Sequence, residues 1–228
     1  MSIKLTFKKS INERLIKNYV LFTDENFKII GLNKLSVSKY SNIINKTIEI
    51  NKIKNKKFLI FNLNPYQKVI LIKLKNKIDS IENEKIGAEF YNYIKSNSVY
   101  STTFEQNNIN FLFSKNKNFF NEFIHGAQLK SYEFNKYKTK KQKKIFEIVL
   151  LIQNNKIETR MPKRFESLLQ GSNLTKDLVS EPGNILHPDE YVKRIIQLKK
   201  IGLKVNVYDE KKLKKLGMNA LLGVGQGS

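Results

Sequence analysis

Cysteine is absent from the chain, and histidine occurs only twice, at His125 and His187. The lack of cysteine excludes disulfide bridges and thiolate zinc sites, and it suits a reducing compartment such as the cytoplasm. The two histidines lie far apart in the sequence, and neither has a carboxylate beside it at the spacing of a metal site. We therefore expect a structural or solvent-exposed role for His125, and for His187 a place in the loop before a helix that Pro188 begins.

Long apolar runs are absent as well. No stretch approaches the roughly 18 consecutive apolar residues that cross a bilayer, and the first residues hold too short an apolar run for a secretion signal. Hydrophobic residues nevertheless make up 40% of the 228, including 15 phenylalanines and 10 tyrosines, so the chain can bury the cores of one or two globular domains. These features predict a folded cytoplasmic protein.

Arginine is scarce although the chain is strongly basic. Lysine and arginine together number 42 against 20 acidic residues, for a net charge of +22, yet the arginines are only Arg14, Arg160, Arg164 and Arg194. Lysine, asparagine, isoleucine, phenylalanine and tyrosine all have codons rich in A and T, so part of the charge is explained by base composition. Arginine, the residue best suited to bidentate phosphate recognition, is the one in short supply.

A basic polyanion- or nucleic-acid-binding α/β module stays open as an alternative function, because lysines neutralise phosphates. The lysines that would contact nucleic acid are Lys136, Lys138, Lys140, Lys141, Lys143 and Lys144. Tyr132, Phe134 and Tyr137 are interleaved with this run and would stack on bases. A solvated loop with the aromatic side chains packed inward is the simpler interpretation and is favoured.

Strand and helix patterns alternate through the first two thirds of the chain. Apolar runs predict strands at residues 3–7, 19–22, 58–61, 69–74, 99–104, 109–113 and 145–152. Helical periodicity predicts helices at residues 32–44, 78–94 and 119–134. This alternation predicts a layered α/β domain with a mixed, mostly parallel sheet flanked by helices. The polar, aperiodic stretch 154–161 indicates that this domain ends near residue 156.

The last quarter predicts the order helix, helix, strand, helix. One helix runs from Met161 and stops before Pro182, and a second begins at Pro188 and closes at Gly202. Alternating apolar residues predict a strand at 203–207, and Asp209 is expected to cap a third helix. Gly223, Gly225 and Gly227 follow at a spacing that is not a dinucleotide fingerprint, so we expect a tight turn there.

Three segments of this region, NLTKDLVSEPGNILHPDEY, GLKVNVYDEKKLKKLGM and ALLGVGQGS, resemble the start of the catalytic domain in the cytosolic leucine aminopeptidase family. A further segment, HGAQLKSYEFNKYKTKK, is similar to the one that closes the amino-terminal domain of the same family. The resemblance implies a macrodomain-like amino-terminal domain at residues 1–156. It implies a linker helix and the incomplete start of a metallopeptidase catalytic domain at residues 157–228.

The same resemblance implies a homo-hexamer that hydrolyses N-terminal amino acids from peptides with two divalent metal ions, manganese or zinc. The family's metal-ligand motifs lie beyond the segment that ends at Ser228. We therefore assign no catalytic, cofactor-binding or metal-binding residue to this chain, and we expect it to be inactive alone.

Three acidic pairs resemble the carboxylate pairs of hydrolases: Glu82 with Glu84, Asp189 with Glu190, and Asp209 with Glu210. All are expected in the first turns of helices, where the helix dipole favours negative charge, so a structural role is preferred. A macrodomain-type ligand binder is a further alternative, but it would need a glycine-rich phosphate loop. In the first 160 residues the glycines stand singly.

Overall fold

The computed structural model describes residues 3–50, 56–75, 79–113, 118–139, 144–152 and 161–226. The chain folds as two compact units, Met1–Leu174 and Thr175–Ser228. The boundary stretch 154–160 lies outside the described residues, so the domain division at residue 156 stays a prediction. No helix in the described ranges is long and apolar enough to cross a membrane.

The first unit is built on a six-stranded sheet. Its strands are β1 (Ile3–Lys8), β2 (Asn18–Thr23), β3 (Phe58–Asn64), β4 (Gln67–Lys73), β5 (Ser101–Glu105) and β6 (Phe146–Leu151). They lie in the order β1-β6-β5-β2-β4-β3, and every pairing is parallel except the β3–β4 hairpin. In that hairpin the Asn64 side chain accepts from the backbone N–H groups of Tyr66 and Gln67, both at 2.9 Å. The predicted mixed, mostly parallel α/β fold is confirmed.

Eight α-helices are seen within the described ranges. They are α1 (Ser41–Ile50), α2 (Ser80–Ser96), α3 (Gln106–Phe113), α4 (Phe119–Lys130), α5 (Lys163–Ser180), α6 (Pro188–Ile196), α7 (Glu210–Lys215) and α8 (Asn219–Gln226). Short 3₁₀ turns at Glu13–Leu15, Leu32–Lys34, Ser38–Tyr40 and Gln197–Ile201 complete the set. The Asp79 carboxylate caps α2 by accepting from the backbone N–H of Glu82 at 2.8 Å.

Both faces of the sheet are buried, because the side chains of β2 alternate between two cores. Val20 and Phe22 face a core with α2 and α4, whereas Tyr19 and Leu21 face a second core with the 3₁₀ turns and α1. The first core is rich in aromatic rings: Phe22 packs edge-on against Phe123 with a centroid distance of 5.1 Å. A strand buried on both faces reads as a continuous apolar run, which is why β2 is visible in the sequence.

Helices α2 and α4 cross at two glycines. A Cβ atom on Gly87 would overlap the carbonyl oxygen of Phe123, and one on Gly126 would overlap the carbonyl oxygen of Glu84. Each glycine therefore lets the backbone of one helix touch that of the other. This close approach sets the position of His125, which precedes Gly126.

Several predicted elements are wrong or need adjustment. The helix predicted at residues 119–134 ends at Lys130, as α4. Residues 109–113 belong to helix α3 and not to a strand. The Asn108 side chain accepts from the Phe22 N–H at 2.7 Å and donates to the Phe22 carbonyl at 3.0 Å. It therefore occupies the backbone groups of Phe22 with which a further strand would have paired. The predicted helix at 32–44 is two 3₁₀ turns followed by α1.

Two further corrections fall in the second unit. Residues 203–207 form no strand, since the described chain offers them no partner strand and an isolated strand cannot satisfy its backbone groups. Gly223 and Gly225 lie inside helix α8 and not in a tight turn, while Gly227 is outside the described residues. A helix satisfies backbone hydrogen bonds locally where no sheet is available.

Candidate functional site

The segment that resembles a catalytic domain begins in α5 and continues through α6, α7 and α8. His187 occupies the N-cap position of α6 in an extended conformation, and Pro188 takes the first helical position. The His187 side chain makes no capping hydrogen bond. The predicted place of His187 in the loop before a helix is confirmed.

Arg194 ties the start of α6 to the loop that precedes it. Its Nε donates to Glu190 at 3.0 Å and its Nη1 donates to Glu181 at 2.8 Å. The Glu181 side chain is only 1% exposed. The hydrogen bond from Arg194 holds the pKa of Glu190 below its ordinary value. These carboxylates are engaged in ion pairs within one arginine cluster, so they serve structure.

The remaining acidic pairs have different roles in the fold. Asp209 accepts from the Lys212 backbone N–H at 2.8 Å and caps α7, and Glu210 follows in the first turn. Glu82 likewise lies in the first turn of α2, as expected. Glu84 does not share that role, because its carboxylate turns towards helix α4. No two-carboxylate catalytic arrangement results from these pairs.

Glu84 instead pairs with His125 in the first unit. Its Oε1 lies 2.9 Å from Nδ1 of the histidine, which is 4% exposed and packs against the Phe165 ring at a centroid distance of 5.5 Å. The other ring nitrogen of His125, Nε2, is buried and meets no hydrogen-bond partner in the described part of the chain. Sequence reasoning missed this pair because 41 residues separate its members. The crossing of α2 and α4 at glycines brings them together.

Two further carboxylates are buried in the first unit. Glu105, at the end of β5, is 1% exposed and accepts from the Ser36 backbone N–H at 3.1 Å and from the Ser36 hydroxyl at 2.5 Å. Burial raises the pKa of Glu105 above its ordinary value. Glu122 accepts from Ser80 at 2.7 Å and from Asn83 at 2.6 Å. Both carboxylates accept hydrogen bonds from uncharged donors, so we interpret their role as structural.

The acidic and histidine side chains of the described ranges are scattered. In those ranges no three His, Cys, Asp or Glu side chains gather into a group that could hold a metal ion. The Glu84–His125 pair has only two members. In the second unit, Glu181 and Glu190 pair with Arg194, and Asp209 caps α7. The described residues therefore do not fit the two-metal centre that the family resemblance implies.

The lysine run is only partly described, since Lys140, Lys141 and Lys143 lie outside the described residues. In the described part, Lys136 lies over the Tyr137 ring at 5.5 Å, and Tyr137 packs against Phe134 at a centroid distance of 5.8 Å. Tyr137 is exposed, so the expectation that the aromatic side chains pack inward is wrong for this residue. In the described part of the run, these contacts form a small surface cluster.

The fold is thus a layered α/β domain joined to a helical segment. Residues 173–228 match the sequence model of the cytosol aminopeptidase family, catalytic domain. The probable cytosol aminopeptidase of Phytoplasma mali is 46% identical over 112 residues, which cover 46% of this chain and 22% of the relative. That of Methylobacterium radiotolerans is 39% identical over 112 residues, covering 47% and 22%. The matched segment thus spans about a fifth of the length of these curated relatives.

Solved structures extend the likeness in fold to almost the whole chain. A tomato leucine aminopeptidase mutant has a TM-score of 0.70 at 18% identity and is matched over 94% of this chain and 46% of its own. The cytosol aminopeptidase of Coxiella burnetii has a TM-score of 0.58 at 15% identity, over 92% and 41%. This chain therefore resembles the start of a cytosol aminopeptidase catalytic domain in the sequence of residues 173–228, and it resembles the solved aminopeptidase structures in fold.

Proposed function

We propose that this chain is the amino-terminal part of a metal-dependent leucyl aminopeptidase, which hydrolyses N-terminal amino acids from peptides. The observation that carries the proposal is the match of residues 173–228 to the family's catalytic domain, together with 46% identity to the Phytoplasma mali relative. The chain spans less than half of these solved structures, so we propose the activity for the complete enzyme and not for this chain alone.

The exposed apolar side chains of the second unit support this proposal. No residue of α6, α7 or α8 is buried, and large apolar side chains such as Leu203, Val207, Leu221 and Val224 are exposed. Apolar surface of this kind is stabilised when further chain covers it. We propose that the rest of the catalytic domain provides that cover.

The metal ions of the complete enzyme would be two divalent cations, manganese or zinc. We assign no chemical step to this chain, because its described residues include no group of three or more side chains that could bind a metal ion. Its contribution is to begin the catalytic domain and to carry the α/β domain. A cytoplasmic location is supported by the absence of cysteine and by the relatives' description as cytosol aminopeptidases. A homo-hexamer is the assembly we propose for the complete enzyme.

Hydrolysis of leucine p-nitroanilide tests the proposal. The isolated chain should release no p-nitroaniline with either manganese or zinc. A chimera that continues after Ser228 with the corresponding remainder of the Phytoplasma mali relative should release it, and a chelator should stop the reaction.

The isolated chain and the chimera test different parts of the proposal. Metal-dependent release by the isolated chain would show that the chain is not silent. A chimera that is folded by circular dichroism, binds manganese and still fails to hydrolyse the substrate would refute the peptidase assignment. Light scattering of the active chimera tests the hexamer.

A further inference from the structure

A cleft of about 220 Å³ opens in the first unit beside the amino-terminal ends of β5 and β6. Its lining comes from the carboxyl-terminal half of α2, the segment before β5, the segment after α4, Lys144 just before β6, and Phe146 at the start of β6. None of these residues belongs to the segment that matches the catalytic domain. All of the lining residues belong to the first unit.

Three aromatic rings form the apolar wall of this cleft. Phe146 packs against Tyr91 at a centroid distance of 5.2 Å and against Tyr100 at 5.3 Å. Phe146 and Tyr91 are buried, whereas Tyr100 is 38% exposed. Because Phe146 is fixed in the core and supports Tyr100, the wall is preorganised and presents an aromatic surface to a small apolar group.

Two lysines bring charge to the cleft, and they have different partners. Lys95 donates to Glu133 at 2.8 Å, and Glu133 also accepts from Asn135 at 3.2 Å. Lys144 donates to the phenol oxygen of Tyr100 at 3.0 Å and, over the ranges that the structure describes, meets no carboxylate. An ammonium group has three donors, so Lys144 keeps donors for a ligand. With two lysines and one glutamate in the lining, positive charge is in excess.

The phenol oxygen of Tyr100 anchors Lys144 at the aromatic wall. The hydrogen bond from Lys144, and next that with the Ser98 side chain, lowers the pKa of Tyr100. Ser98 has a φ of 54°, a left-handed conformation that is uncommon for a residue with a side chain. Ser98 and Lys144 thus converge on one oxygen at the mouth of the cleft.

We propose that this cleft binds a small organic monoanion, whose carboxylate accepts from Lys144 and whose apolar or aromatic group packs against Tyr100 and Phe146. An ammonium without a carboxylate partner, next to an aromatic surface, matches one negative charge joined to one apolar group. A polyphosphate fits poorly, because Glu133 repels it and already neutralises Lys95. This binding goes beyond the peptidase function and does not depend on it.

Calorimetric titration of the 228-residue chain with phenylacetate tests the proposal. Phenylacetamide is the matched uncharged ligand, and inorganic phosphate supplies charge without an apolar group. Both should bind at least about tenfold more weakly than phenylacetate, as expected for the loss of one charged hydrogen bond or of the aromatic contact. K144M should weaken phenylacetate binding about tenfold, and K144R should retain it.

The matched control is K39M, since Lys39 also lies over a tyrosine ring, that of Tyr40, but outside the cleft. K39M should leave the affinity unchanged. Phenylacetate should also raise the pKa of Tyr100, because its carboxylate brings a negative charge next to the phenol. The difference in tyrosinate absorbance between the unaltered chain and Y100F measures this shift.

The proposal is overturned by absence of saturable phenylacetate binding, by equal affinity for phenylacetamide, or by equal weakening in K144M and K39M. Thermal unfolding followed by circular dichroism confirms that the variants are folded. If K144M does not fold, the comparison of phenylacetate with phenylacetamide on the unaltered chain decides by itself.

Discussion

The glycine crossing of α2 and α4 gives the sharpest test of the fold. In G126A the new methyl group meets the backbone of Glu84, which cannot move aside as the end of a flexible side chain can. Overpacking of a core costs about 1–3 kcal/mol, and a clash with backbone belongs at the upper end. Alanine regains about 1 kcal/mol of helix propensity. The net expectation is a loss of about 2 kcal/mol in the free energy of unfolding.

The matched control is G171A, the same chemical change within α5 of the same unit. No atom lies within 4 Å of the added Cβ at Gly171, so only the helix propensity remains, and the variant should gain about 0.5–1 kcal/mol. Urea unfolding followed by circular dichroism measures both. If G126A proves as stable as G171A, the close crossing of the two helices is refuted, and with it the position of His125 beside Glu84.

Three other predictions concern charged groups. Burial raises the pKa of Glu105 above its ordinary 4.5, so the folded state binds this proton more tightly than the unfolded state. The free energy of unfolding should therefore fall as pH rises through the raised pKa. In urea unfolding, E105Q should flatten that pH dependence. A double-mutant cycle with H125F and E84Q should give a coupling of about 1 kcal/mol, and a coupling near zero contradicts the pair. R194M should speed amide hydrogen exchange in α6. R194K should not restore protection, because lysine lacks the planar guanidinium that bridges Glu181 and a second carboxylate. Unchanged exchange in R194M would contradict a stabilising role for the Arg194 ion pairs.

Sequence periodicity predicts the elements whose burial follows one local pattern. The strands β2 and β6 are continuous apolar runs, and α2 has a helical period of apolar residues, so all three can be predicted from the sequence. Helix α3 is missed because its placement depends on Asn108 binding the backbone of Phe22 across 86 residues. No local pattern reports such a contact. The Glu84–His125 pair is missed for the same reason.

The chemistry of the candidate sites is less predictable than the fold, because a carboxylate has several uses. Dipole arguments correctly place Asp189 and Glu190 in a first turn, but they do not reveal that Arg194 links Glu190 to Glu181. They also group Glu84 with Glu82, although the two side chains have different partners. A charge pattern along the chain therefore predicts which helix end an acid occupies, and the tertiary fold decides what that acid binds.

Sequence similarity and tertiary packing give opposite rankings of the two units. The first unit buries both faces of its sheet, yet its resemblance to the family is carried mainly by fold. The second unit matches the family by sequence, yet its helices α6, α7 and α8 bury no residue and are held by caps and the Arg194 ion pairs. A helix with one apolar stripe requires a partner surface. The residues that match the catalytic-domain model are therefore the ones that expose apolar side chains such as Leu203, Leu221 and Val224.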